Sequence, residues 1–133
     1  MKHVLVVEDD PHNAILLRKV LERRGGFSVT LSESAEEILE LTQGGTIDLV
    51  LMDVSLANTR LKGKQLGGVE LCHMIKNNPA SAYIPVILAT AHAMRGDAEN
   101  LLAESGANDY VAKPIVDHEA FVNQVKSLLE EAA

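Results

Sequence analysis

The sequence contains few of the residues that form aromatic cores or covalent cross-links. Its 133 residues include no Trp, two Tyr, two Phe and one Cys. A core built from this chain must therefore be aliphatic. The single Cys72 excludes an intramolecular disulfide and is compatible with a reducing compartment. Because Cys72 falls in the apolar stripe of a predicted helix, we expect it to be a packed small side chain.

Signals for membrane insertion and export are also absent from the sequence. No apolar run approaches the ~18 residues of a transmembrane helix, so we expect no membrane span. The N-terminus leads directly into a strand pattern, without the basic region and cleavage site of a secretory signal. We therefore expect a cytoplasmic protein.

Positive charge is scarce. Lys and Arg total 12 against 19 Asp and Glu, which gives a net charge of −7. This balance is unsuited to neutralising a phosphate backbone, so we expect no nucleic-acid partner. The length suits a single domain with a proper core, and we assign residues 1–133 to one domain.

The chain does contain four apolar runs that each end in polar residues. They are residues 4–7 before Glu8 and Asp9, residues 47–52 before Asp53, residues 84–89 before Thr90, and residues 109–112 before Lys113. Such runs are typical of buried parallel strands. Because open α/β sheets bind ligands at the carboxyl edge of their strands, we expect these polar side chains to converge.

Segments of helical periodicity separate the strands. Caps for the first, second and fifth helices are predicted at Asp10, Ser34 and Asp117, and a fourth helix is predicted over about residues 96–105. The buried stripe of the first helix is predicted from its aliphatic residues, Ile15, Leu16, Val20 and Leu21. A further strand is predicted over residues 27–31. Five strands alternating with five helices predict an α/β fold with a doubly wound parallel sheet.

One stretch breaks this rhythm. An extended loop at about residues 56–68 is too long for an ordinary connection from a strand to a helix. It carries Arg60, Lys62 and Lys64 and no acid. A solvated excursion is the usual meaning of such a run. Our sharper hypothesis is that the three basic side chains help to dock an acidic partner surface.

The expected constellation suits phosphoryl transfer. Three carboxylates, Glu8, Asp9 and Asp53, would repel one another unless a cation compensates, and oxygen ligands of this kind favour Mg²⁺. Lys113 supplies a positive charge for a phosphoryl group, and Thr90 supplies a hydroxyl donor. These are the parts needed for in-line transfer onto an aspartate.

With these residues the chain resembles the receiver domain of two-component response regulators over essentially its full length. The matching segments are residues 6–11, 51–53, 89–97 and 106–115. The resemblance implies a flavodoxin-like sheet of strand order 2-1-3-4-5. It implies that Asp53 accepts a phosphoryl group from a histidine kinase or a histidine phosphotransfer protein. It also implies Mg²⁺ ligands, which are Glu8, Asp9, Asp53 and the backbone carbonyl of Ser55.

Further roles follow from the same resemblance. Thr90 and Lys113 correspond to the family's phosphate-sensing hydroxyl and lysine, and Tyr110 corresponds to its switch aromatic. The Lys113-Pro114 bond is expected to be cis. His92 either tunes loss of the phosphoryl group or is an exposed loop residue. Ala57 stands where the family often has Pro, which bears on partner specificity more than on phosphorylation.

We therefore expect a signalling switch rather than an enzyme, with intrinsic self-phosphorylation and autodephosphorylation chemistry. Phosphorylation would reshape the face of helix 4, strand 5 and helix 5 to control a protein partner, and the chain would be a monomer or weak dimer. We favour a stand-alone regulator over a receiver excised from a hybrid histidine kinase or larger regulator. A phosphorylation-independent interaction module is a further alternative. An aspartate-dependent phosphatase is a fourth, although Ser55 stands where such enzymes often carry a second acid.

Overall fold

A computed structural model of the chain describes residues 2–56, 59–91 and 97–132. In chain order the elements are β1 (His3–Val7), α1 (Pro11–Gly25), β2 (Ser28–Leu31), α2 (Ala35–Gln43), β3 (Leu49–Asp53), β4 (Arg60–Leu61), β5 (Lys64–Gln65), α3 (Gly68–Lys76), β6 (Val86–Thr90), α4 (Asp97–Ser105), β7 (Asp109–Ala112) and α5 (His118–Ala132). Within the described ranges, no helix has both the length and the apolar character needed to cross a bilayer.

Five of the strands form one parallel sheet in the order β2-β1-β3-β6-β7. Strands β4 and β5 pair with each other, antiparallel, in a separate hairpin. When only the strands of the large sheet are counted, its order is 2-1-3-4-5, which confirms the predicted doubly wound, flavodoxin-like topology.

The sheet register aligns the strand ends. Val7 is opposite Met52, so the next residues, Glu8 and Asp53, lie at the same level. Asp53 is itself opposite Ala89 of β6. One residue further along, Thr90 is opposite Ala112, the last residue of β7. The polar residues that follow the four apolar runs therefore share one edge of the sheet.

Side-chain alternation along the strands divides an aliphatic core into two layers. On one face, strand residues such as Leu5 and Val50 pack under α2 and α3. On the other face, residues such as Val4 and Leu51 pack under α1 and α5. Cys72 is fully buried in the first layer, and burial raises the pKa of its thiol to about 11. This confirms that Cys72 is a packed side chain.

The predicted helix caps are present. The Asp10 carboxylate accepts a hydrogen bond from the backbone N–H of His12, and the Ser34 hydroxyl accepts one from Glu37. Asp117 accepts in the same way from Ala120, at 2.9 Å. The fourth helix is described from Asp97 to Ser105, and its predicted start at residue 96 lies outside the described residues. The strand predicted over 27–31 begins one residue later, at Ser28.

The predicted stripe of α1 is wrong in part. Ile15 and Leu16 are 44% and 46% exposed. The buried face consists of Ala14, Leu17, Val20 and Leu21. Ala14 and Leu17 are three residues apart and continue the helical spacing to Leu21, whereas Ile15 and Leu16 project to the sides of that face. The small apolar signal of Ala14 led to the wrong helical phase.

The extended loop contains an ordered β-hairpin that the sequence pattern did not predict. Lys62 and Gly63 form its turn with φ values of 53° and 81°. Two successive positive φ values suit the right-handed twist of a tight antiparallel hairpin. Ala57 lies outside the described residues.

Neighbouring leucines of α1 provide a test of the corrected phase. Leu17→Ala should lower the free energy of unfolding by about 2–5 kcal/mol, because it leaves a cavity against the sheet. Leu16→Ala, the matched control, should lower it by less than ~1 kcal/mol, because half-exposed side chains lose little burial. Urea unfolding of both variants measures the difference. An equal decrease in the free energy of unfolding for both variants would show that Leu16 packs in the core as closely as Leu17.

Candidate phosphoryl-transfer site

Three carboxylates meet at the carboxyl edge of the sheet. Glu8 and Asp9 follow β1, and Asp53 is the last residue of β3. One ligand oxygen from each lies within 4.8 Å of the others. Glu8 and Asp53 are buried, and Asp9 is half-buried. The structure thus brings together the acids whose convergence the sequence predicted.

Lys113 bridges two of these carboxylates. Its ammonium Nζ donates to Asp53 Oδ2 at 3.0 Å and to Glu8 Oε1 at 3.3 Å. The lysine side chain is 24% exposed, so its charge is partly shielded from water. A cation held at this distance from two buried carboxylates offsets their mutual repulsion.

Asn13 belongs to the site and was missed by the sequence reasoning. Its side-chain amide donates to Glu8 Oε1 at 2.5 Å. The signal was present: Asn13 lies in the first turn of α1, five residues after Glu8, where a helix that begins at the sheet edge turns side chains back toward that edge. Asn13 therefore holds the same Glu8 oxygen that accepts from Lys113.

The surroundings of Glu8 favour its protonated form. Burial, followed by hydrogen bonding to Asp53, raises the pKa of Glu8 to about 7, although Asn13 and Lys113 act in the other direction. Burial alone would lower the pKa of Lys113, but its hydrogen bond to Asp53 and the two carboxylate charges outweigh burial and raise it. One ammonium is therefore not enough to keep Glu8 fully ionised at neutral pH.

The donor set fits a hard divalent cation. Within the described residues, Glu8 Oε2 is buried and has no hydrogen-bond partner. An uncompensated buried carboxylate oxygen is costly, and a cation or its bound water would satisfy it. Clustered carboxylate oxygens with no sulfur or imidazole ligand favour Mg²⁺ over transition metals. These residues therefore fit Mg²⁺.

The site opens into a cleft of about 520 Å³. Its lining includes the three acids, Ser55 and Lys113. Ser55 is exposed, and its backbone N–H donates to Asp53 Oδ1 at 3.0 Å. This volume accommodates a phosphoryl group together with a hydrated cation.

The other predicted site residues lie on β6, which is next to the Asp53 strand, and on β7, which is the following strand of the sheet. Thr90 is buried at the end of β6, and its carbonyl accepts the backbone N–H of Lys113 at 2.9 Å. Tyr110 of β7 is partly buried against the core layer under α2 and α3, and its carbonyl accepts from the Gln124 amide. The Lys113-Pro114 bond is cis, as predicted. His92 lies outside the described residues.

The backbone beside Asp53 leaves no room for a side chain at Gly68. A Cβ built there would overlap the carbonyl oxygen of Asp53 and lie 2.9 Å from Cα of Val54. The Gly68 N–H donates to Val54 O at 3.1 Å. The first residue of α3 is therefore packed directly on the strand end that carries Asp53.

The chain is similar to known receiver domains along almost its whole length. The family model described as the response regulator receiver domain matches residues 4–130. The polar-differentiation response regulator DivK of Brucella ovis is 34% identical over 131 residues, which are 98% of each chain. DivK of Brucella anthropi is 33% identical over 131 residues. The similarity therefore spans all four strand ends of the site.

Solved structures give the same result. The receiver domain of sensor histidine kinase PA1611 from Pseudomonas aeruginosa, solved with a magnesium ion coordinated in its active site cleft, is 29% identical. Its TM-score is 0.73, and the match covers 98% of this chain and 95% of that one. The signal receiver domain of a histidine kinase from Syntrophus aciditrophicus is 28% identical with a TM-score of 0.81, over 98% and 92% of the two chains.

The raised pKa of Glu8 predicts a pH dependence of stability without metal. Between the ordinary pKa of 4.5 and about 7, the folded chain binds more protons than the unfolded chain, so the free energy of unfolding should fall as pH rises through that window. Glu8→Gln should lessen the fall, because glutamine does not titrate. Urea unfolding across this range in a chelator measures the slope. Glu22→Gln on the exposed side of α1 is the control, and a Glu8→Gln slope equal to the wild-type slope would contradict the prediction.

Adjacent glycines provide a second test. Gly68→Ala should lower the free energy of unfolding by about 1–3 kcal/mol, because its Cβ meets backbone that can move only with Asp53. In Gly67→Ala the nearest atom to the new Cβ is the Glu70 carboxylate, at the flexible end of a side chain, so the loss should be smaller. Thermal or urea unfolding of both variants ranks them. A larger loss of stability in Gly67→Ala than in Gly68→Ala would show that the backbone around Asp53 moves readily to accommodate the new Cβ.

Proposed function

The chain belongs to the response regulator receiver domain family of two-component systems, and on that premise we propose that Asp53 accepts a phosphoryl group from a phosphohistidine donor in a Mg²⁺-dependent reaction. The observation that carries the proposal is the bridge from Lys113 Nζ to the carboxylates of Asp53 and Glu8, beside a third acid and an open cleft. A carboxylate, a fixed cation and a set of oxygen ligands are the parts that aspartyl phosphorylation needs.

In the proposed reaction a carboxylate oxygen of Asp53 attacks phosphorus. The new P–O bond replaces the P–N bond to the donor histidine, which leaves as the imidazole. Lys113 already lies 3.0 Å from Asp53 Oδ2, where its charge can meet a phosphoryl oxygen. The Ser55 N–H holds Asp53 Oδ1 and so orients the carboxylate.

We assign the metal site to the same acids. Glu8, Asp9, Asp53 and the backbone carbonyl of Ser55 would hold Mg²⁺, which when bound neutralises charge on the phosphoryl oxygens. The unpartnered Glu8 Oε2 supports this assignment. The magnesium ion in the PA1611 receiver is a parallel in a related protein.

We assign the response to Thr90 and Tyr110. Thr90 ends the strand next to Asp53, so a small movement of its hydroxyl would reach the phosphoryl group. Tyr110 lies on β7 opposite Leu88 of β6, close enough to Thr90 to follow that movement. The face of α4, β7 and α5 would then change shape and alter the binding of a protein partner.

The expected setting follows from this chemistry. The donor would be a histidine kinase or a histidine phosphotransfer protein, and the chain would act in the cytoplasm, where ATP recharges such donors. We propose that residues 1–133 form one receiver domain that is a monomer or weak dimer. Both a stand-alone regulator, as the DivK relatives are named, and a receiver of a histidine kinase, as in the PA1611 structure, fit this chemistry.

The direct test is the intact mass of the protein after incubation with acetyl phosphate. Wild type should gain one phosphoryl group when Mg²⁺ is present and none in a chelator. Asp53→Asn should gain none, because an amide is not a nucleophile for this transfer, and Lys113→Ala should react more slowly. Asp117→Asn, which keeps the α5 cap with an equivalent side chain, is the matched control.

Each outcome of the mass measurement has a clear meaning. A Mg²⁺-dependent adduct that is lost in Asp53→Asn and kept in Asp117→Asn supports the proposal. An adduct that persists in Asp53→Asn would assign the acceptor to another residue. If wild type gains no adduct and binds no beryllofluoride either, the chain is a phosphorylation-independent interaction module.

A further inference from the structure

The insert after β3 contains a β-hairpin, here called the basic hairpin, consisting of residues 59–66. Its strands pair Arg60 with Gln65 and Leu61 with Lys64. The N–H of Leu66 donates to the carbonyl of Thr59 at 2.9 Å and extends the pairing by one bond. The hairpin is therefore an element with its own register.

Buried contacts anchor the basic hairpin to the domain. Thr59 is completely buried, and its hydroxyl donates to the carbonyl of Glu33 just before α2, at 2.9 Å. Leu66 is buried, and Leu61 packs against the core layer under α2 and α3. The exposed side chains of the hairpin are therefore carried on a fixed base.

The far end of the insert is anchored beside Asp53. The Gly68 N–H donates to the Val54 carbonyl, and Gly68 is packed on the carbonyl of Asp53. The insert thus leaves and re-enters the domain at the strand end that carries the proposed phosphoacceptor. Gln65 of the hairpin also donates from its side-chain amide to the Leu56 carbonyl at 3.4 Å, and Ser55, the residue before Leu56, lines the cleft.

The hairpin carries three cations. Because Arg60 pairs with Gln65 and Lys64 pairs with Leu61, the side chains of Arg60 and Lys64 project to opposite faces of the hairpin. Arg60, Lys62 and Lys64 are exposed and make no ion pair with any residue that the structure describes. Lys62 has a left-handed backbone conformation, with a φ of 53°. Asn or Gly would adopt this conformation with less strain. The turn therefore carries a charge at a position where an uncharged residue would fold more easily.

We propose that the basic hairpin docks an acidic patch on the phosphodonor protein and guides its phosphohistidine to Asp53. The inference rests on the proposed function and adds the chemistry of the partner. The donor is favoured over a downstream target because the hairpin contacts α2 and the Asp53 strand end, whereas the α4, β7 and α5 face lies toward the other edge of the sheet.

A protein surface is favoured over a nucleic acid or an anionic membrane. The hairpin carries only three cations, in a domain of net charge −7. Glu33, whose carbonyl accepts from Thr59 of the hairpin, is exposed, and so are Glu36 and Glu37 in the first turn of α2. An extended polyanion would meet these acids and be repelled, whereas a compact acidic patch can meet the hairpin alone.

The test replaces the charges and keeps the hairpin. The variant Arg60→Gln/Lys62→Asn/Lys64→Gln removes three charges, and Asn is well suited to the left-handed turn position before Gly63. The control Lys2→Gln/Arg24→Gln/Lys126→Gln removes the same charge from exposed positions outside the cleft and the hairpin. The donor is the purified histidine kinase of the source organism that phosphorylates wild type fastest, and acetyl phosphate serves as the small donor.

The expected result is a loss confined to the protein donor. The hairpin variant should lower kcat/KM for transfer from the kinase by about tenfold at low salt and should flatten its salt dependence, because exposed interface charges act mainly on association. The acetyl phosphate rate should stay at the wild-type value. The charge control should transfer from the kinase within about twofold of wild type.

Other outcomes overturn the inference. An unchanged kinase rate, or an equal loss in the charge control, would show that the hairpin does not dock the donor. A salt-sensitive wild-type dimer that the hairpin variant abolishes, with the kinase rate unchanged, would assign the surface to a second copy of the chain. If neither the kinase nor acetyl phosphate phosphorylates wild type, the proposed function itself is wrong. That outcome differs from failure of the docking inference, in which wild type is phosphorylated and the hairpin variant reacts with the kinase at the same rate.

Discussion

The structure depends on one electrostatic constraint, which is the close approach of three carboxylates at the edge of the sheet. Lys113 Nζ bridges Asp53 and Glu8 at 3.0 and 3.3 Å. Without this ammonium the hydrogen bonds to the two buried acids would come from neutral donors, the Asn13 amide and the Ser55 N–H, and protonation would be their main relief. Even with it, Glu8 Oε2 has no partner in the described chain and the pKa of Glu8 is about 7. The protein alone is therefore incomplete, and it is poised to bind positive charge.

The parallel sheet is what makes this crowding possible. Each acid or base follows a strand whose backbone is hydrogen-bonded to its neighbours, so a charged side chain cannot retreat without breaking the ladder. Gly68 adds to this restraint, because it lets α3 begin directly against the Asp53 carbonyl. Packing of the two aliphatic layers thus stabilises a fold in which the carboxylates repel one another. Strain of this kind is common at functional sites.

The sequence predicted the sheet and the site because both rest on strong local patterns. Buried parallel strands are continuous apolar runs, and the polar residue that ends each run marks the ligand edge. The α1 phase was harder, since Ala14 gives a weak apolar signal beside Ile15 and Leu16. Asn13 was missed although its place in the first turn of α1, five residues after Glu8, was a usable signal. The basic hairpin is held by Thr59 contacting Glu33, and a contact across 26 residues has no trace in local periodicity.

The way in which the ends of the insert are fixed explains how an insert of this size is tolerated next to the site. Lengthening a loop costs little chain entropy once its ends are fixed, since the cost grows only logarithmically with length. Here the Gly68–Val54 hydrogen bond fixes the ends, so the hairpin can vary without moving Asp53. The side chains of the candidate site are held by the strand ends, and the exposed part of the insert lies outside them. A domain organised in this way can change the sequence of its insert while the site keeps its geometry.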